Sequence, residues 1–137
     1  MHTTKCINDE LCVGDSVVSV DCDSYSYLVG TVISINLVGS PEHERETGNE
    51  TDDVHVEFIG ADYSEKRICE IEEAFTASFG ERKTFEDCGL DDVIMSPDML
   101  MKTDAFTKEE MDSILQDEKK ASMVCKRILE QFANLAN

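Results

Sequence analysis

The order of apolar and polar residues divides the chain into a strand-like first half and a helical second half. Gly14-Asp15-Ser16-Val17-Val18-Ser19-Val20 opens on a turn pair and continues in β-branched residues, which predicts a strand over 14–20. Tyr27 to Val38 contains Gly30-Thr31-Val32-Ile33-Ser34-Ile35, nearly unbroken in β-formers, and predicts a second. Asp53 to Ile59 alternates, with Val54, Val56 and Phe58 pointing one way and His55 and Glu57 the other. That third strand is expected to have one buried and one wet face, as antiparallel strands often do. Residues 39–52, between the second and third strands, carry many like charges and almost no apolar side chain, and they read as a mobile hairpin loop.

From Asp62 onward the period lengthens. Ile68, Ile71, Phe75 and Phe79 follow helical spacing and Gly80 is a natural stop, so a helix is predicted over 64–79. Asp62 and Glu65 have capping-box spacing, with Ser64 as a competing cap; a fourth strand over Lys66–Ile71 is the alternative. Thr84-Phe85-Glu86-Asp87 reads as a capped turn. Ser96 stands before Pro97 at a first helical position, which predicts a short helix through Lys102. Thr107 and Glu110 form a capping box. Met111, Ile114, Leu115, Val124, Cys125, Ile128, Leu129, Phe132 and Leu135 then mark one face. Lys119, Lys120, Lys126 and Arg127 fall in the second half, where the helix dipole favours cations. One continuous helix over 107–135 is predicted.

These elements make an α+β protein, a single domain over residues 1–137. A small antiparallel sheet, closed into a barrel or left open, occupies about 12–60, with the acidic loop at 39–52. A helical part over about 62–137 ends in one long helix that packs on the sheet.

Composition adds three constraints. With 137 residues, 41% of them hydrophobic, the chain can build a core without disulfides or a structural metal. No apolar run approaches the 18 or so residues of a membrane span, and the N-terminus lacks the pattern of a secretory signal. A cytoplasmic protein is the expectation. Cys6, Cys12, Cys22, Cys69, Cys88 and Cys125 contain no C-x-x-C pair and no zinc spacing, so they are expected to be reduced thiols. Third, 30 acidic against 12 basic residues give a net charge of −18, which disfavours nucleic acid and anionic membranes as direct partners. A basic protein partner fits that charge.

Candidate chemistry is sparse. His55-x-Glu57 shares the spelling of zinc deaminases, but their signature also needs Pro-Cys-x-x-Cys, and neither Pro41 nor Pro97 precedes a cysteine. The pair is expected to be polar decoration on a solvent face. Asp21-Cys22-Asp23-Ser24-Tyr25 starts like a calcium loop, yet Ser26 and Val32 stand where glycine and a carboxylate are required, so a turn is expected there. His2, His43 and His55 are the only histidines, and no nucleophile-elbow, P-loop or dinucleotide sequence occurs. No catalytic, cofactor-binding or metal residue is assigned and no cofactor is implied. Met95, Met99, Met101, Met111 and Met123 lie in the last third, where core filling is the expected role and an adaptable binding surface the alternative.

The order Gly14-Asp15-x-Val17, Gly30-Thr31-Val32 and Val54-His55-Val56-Glu57-Phe58 resembles the opening strands of small SH3-like barrels of the Tudor and KOW groups. The likeness covers about residues 12–60. It implies a barrel whose face binds protein or nucleic acid; the acidic charge speaks against the second, and Tyr25, Tyr27 and Tyr63 do not fall in the order of an aromatic cage. A non-enzymatic interaction or accessory protein is the leading expectation. An acidic nucleic-acid mimic is the alternative, because residues 41–73 hold 12 acids against 3 basic residues. An enzyme with a dispersed site is the third.

Overall fold

The computed structural model describes residues 2–20, 22–58 and 60–136; of residues 23, 61 and 134–136 it describes the backbone alone. Strands β1 (Thr3–Lys5) and β2 (Glu10–Cys12) form an antiparallel hairpin. Strands β3 (Ser16–Ser19) and β4 (Val29–Asn36) follow, then helix α1 (Pro41–Glu46) and strand β5 (Asp53–Phe58). Helix α2 (Glu65–Phe79), strands β6 (Val93–Met95) and β7 (Leu100–Lys102), and helices α3 (Lys108–Gln116) and α4 (Glu118–Ala136) complete the chain. This is the α+β arrangement predicted, with antiparallel sheets first and a helical C-terminal half ending in a long helix. The three predicted strands are β3, β4 and β5; Ile59, at the predicted end of the third, lies outside the described residues.

The main sheet runs β6-β5-β4-β3-β7, every neighbour antiparallel. It is open, so the barrel alternative is not realised. Its outer strands, β6 and β7, are three residues each and do not meet. Instead the β1–β2 turn covers the outer side of β7. Ile7 N–H donates to Leu100 O at 3.0 Å, and Asn8 bonds the Lys102 backbone in both directions, at 3.1 and 2.9 Å. Gly30 is required where β4 crosses β5, since a Cβ there would come within 2.7 Å of Glu57 O and the Phe58 ring.

Adjacent strand residues face opposite ways, and the core divides accordingly. Val17, Val32, Val54, Val56 and Leu100 pack with Ile71 and Phe75 of α2. Val18 and Met101, their immediate neighbours, pack with Ile114 of α3 and Ala121, Cys125 and Ile128 of α4. Sheet pleat alone therefore explains why the chain needs two sets of helices.

Three expectations require correction. Residues 39–52 are not simply a loop, because α1 is built there. The Ser40 hydroxyl accepts from His43 N at 3.2 Å, Pro41 starts the helix, and the His43 ring is buried. Residues 96–102 make one 3₁₀ turn, Pro97–Met99, and then strand β7, which pairs with β3. The 107–135 helix is interrupted at Asp117, whose backbone is extended and whose carboxylate accepts from Lys120 N at 2.8 Å, starting α4 afresh. The helix predicted over 64–79 is present, so the strand alternative at Lys66–Ile71 is not realised. Ser64 is the cap of α2, its hydroxyl accepting from Arg67 N at 3.1 Å, and Gly80 ends that helix at φ 75°.

Candidate binding groove

The face of β5 predicted to be wet is covered. His55 is 6% exposed, and Asp53, two residues earlier on the same face, is 3% exposed. Helix α1 lies over them. His55 Nε2 is 2.8 Å from Glu46 of α1, and Nδ1 is 2.7 Å from Asp92, just before β6. Behind this bridge, His43 Nε2 contacts Thr51 O at 2.9 Å and stands 4.0 Å from Asp53 Oδ1. Thr47 donates to Asp53 at 2.7 Å. His43 Nδ1 and Asp53 Oδ2 have no hydrogen-bond partner among the described residues. Thus the apolar face of β5 feeds the core, while its polar face ties α1 and the β6 approach to the sheet. No apolar periodicity marks that second role; only two histidines in an acidic stretch hint at it.

Beside β6 runs an open groove. Its apolar wall is Val93, Ile94, Met95, Met99, Tyr25 and the Cys22 thiol; Asp92, Ser96 and Asn49 supply its polar part. Cys22 Sγ lies 3.4 Å from Met99 Sδ. Tyr25 is fixed edge-on against Phe75, ring centroids 5.0 Å apart, so the groove wall rests on the core. Ile94 and Met99 are both substantially exposed. No lysine or arginine lines the groove among the described residues, and Asp91, Asp92 and Asp98 are exposed around it. The stretch at 21–25 is a 3₁₀ turn over Asp23–Tyr25, in keeping with the turn expected between strands; Asp21 and the Asp23 side chain lie outside the described residues.

The remaining sequence candidates are dispersed. Met95 and Met101 are core residues, Met111 is half-buried, and Met99 and Met123 are exposed, so core filling accounts for part of the set. Among the described residues no disulfide joins the six cysteines, and no cluster of three or more His, Cys, Asp or Glu is placed to hold a metal ion. Burial pushes the Cys125 thiol up to about 12, against the lowering effect of nearby Arg67, and burial likewise raises Cys88. A hydrogen bond with Asp15 raises Cys12. These three thiols stay protonated, and a thiol without thiolate character is a packing group rather than a nucleophile. Glu57 is half-buried and stands apart from the His55 bridge. No described helix is long and apolar enough to cross a membrane. No family model matches the sequence, and neither a curated protein nor a solved structure shows significant similarity to the chain.

Proposed function

We propose that the protein is a non-enzymatic accessory protein of the cytoplasm that docks a basic segment of a partner protein in the groove beside β6. The observation that carries this reading is the pairing of an exposed apolar wall, Ile94 and Met99, with a rim of carboxylates and, among the described residues, no cation. Apolar contact supplies affinity and the carboxylates select charge and speed encounter. A peptide array combining lysine or arginine with valine, isoleucine or leucine tests it. Bound signal is expected to fall at least ~tenfold in Met99→Lys, and to fall as salt rises from about 0.05 M to about 0.5 M. Binding that ignores both the substitution and the salt overturns the reading.

A second reading, an acidic mimic of nucleic acid, draws support from α1. Glu42 and Glu44 are exposed on a helix tied down by buried His43, so part of the acidic segment is held rigid rather than loose. Preorganised charge acts without first losing chain entropy. Competition with duplex DNA for a basic DNA-binding domain, with and without Glu42→Gln and Glu44→Gln, separates the two readings. Displacement that depends on those two carboxylates and not on Met99 favours the mimic.

A further inference from the structure

The two ends of the sheet are finished differently. Outside β7 the β1–β2 turn supplies backbone and side-chain hydrogen bonds to Leu100 and Lys102. Outside β6 nothing does among the described residues, for β6 pairs with β5 alone. An open edge carries main-chain donors and acceptors that can pair with another extended chain. It also offers that chain two unlike faces. Ile94 stands opposite His55, so it shares the face where Glu46 and Asp92 bracket the imidazole. Val93 and Met95 stand opposite Val56 and Val54, on the core face, where Tyr25 packs against the same cluster.

Resting on the groove reading above, we infer that the partner segment adds to β6 as a sixth strand and alternates basic with apolar residues. The side chain directly across from Ile94 lies about 5 Å from it on the same face. A lysine there lays its methylenes over Ile94 and carries its ammonium to Asp92, two residues along the edge, whose side chain remains half exposed. Residues on either side of that lysine turn to the other face and meet Val93, Met95 and Met99. A second copy of this chain is a poor occupant, because the edge it would bring and the groove it would enter are both acidic, on molecules each carrying −18.

The test uses the intact protein and a blocked, labelled peptide of alternating lysine and valine, read by fluorescence anisotropy. Two further versions carry N-methyl groups on all odd or on all even residues. In a strand the N–H groups of alternate residues point to the same side, so one methylated series is expected to lose at least ~tenfold in affinity while the other stays near the parent. Equal affinity for both series with the parent still bound overturns strand addition and leaves the groove reading standing. No binding of the parent overturns both. If the free protein instead self-associates and Ile94→Lys disperses it, the occupant of the edge is a second copy and the proposal is overturned.

Discussion

At the scale of single residues, two side chains show how differently the same chain is held. Phe75 is fully buried, stacked on Phe79 with centroids 6.0 Å apart and meeting the edge of Tyr25 at 5.0 Å. Replacing it with Ala is expected to cost about 3–5 kcal/mol, read from urea unfolding, because the helix and sheet around it cannot close over the space. A cost under about 1 kcal/mol would mean that α2 does not pack as described. Glu110 is held by geometry of another kind. Its carboxylate accepts from Thr107 N at 2.8 Å and also pairs with Arg127, and the Thr107 bond above all lowers its pKa despite partial desolvation. A depressed folded value means stability that is present above the ordinary glutamate range and lost as pH falls through the folded value. Glu110→Gln is therefore expected to lower stability at about pH 7, with the gap from wild type closing toward about pH 3. Denaturant midpoints across that range decide it; a gap that stays constant would show that only the neutral cap matters.

At the scale of elements, legibility followed apolar periodicity. The strands β3, β4 and β5 and helix α2 each carry a repeat long enough to read, and each appeared where predicted. Strands β1, β2, β6 and β7 have three residues apiece, too few to establish an alternation, and so both edges of the sheet were invisible in the sequence. The groove beside β6 was lost with them. The reversal between α3 and α4 was hidden for a different reason. Ile114 and Ala121 are seven residues apart, so the stripe stays in phase across the turn. The available signal was the unbroken polar run Gln116-Asp117-Glu118-Lys119-Lys120, with Asp117 able to cap a new helix. Helix α1 escaped because its anchor is a histidine, which an apolar pattern passes over. This last element is easily checked. Arg45 is the only Lys or Arg between Lys5 and Lys66, and it is well exposed on α1. A mobile loop would be cut there by trypsin at once, whereas a docked helix must first open. Native protein is expected to resist cleavage at Arg45, and His43→Ala to be cut at least ~tenfold faster, by mass of the fragment pair. Equal rates in the two proteins would restore the mobile-loop reading.

At the scale of the whole molecule, the charge sets two salt effects of opposite sign. Half-buried Lys102 faces Asp15, Asp9 and Asp104 at 3.6, 3.7 and 3.8 Å, and its pairs with the exposed Asp9 and Asp104 weaken as salt is added. Against them stand 30 acidic residues and only 12 basic ones, so most carboxylates see like charges at longer range. Repulsion spread over the surface is screened efficiently once the Debye length falls from about 30 Å at 0.01 M to about 8 Å at physiological ionic strength. The excess of acids is too large for the pairs to offset. Thermal unfolding is therefore expected to move up by about 3 °C or more between those two conditions. Attraction of a basic segment to the β6 groove must weaken over the same interval, because the same carboxylates are being screened. Stability rising while docking falls is what a surface of unpaired acids requires when those acids are recognition charges. Should the melting temperature instead drop with salt, local ion pairs outweigh the net charge. The electrostatic argument for a basic partner would then lose its footing, since the carboxylates would already be neutralised within the fold.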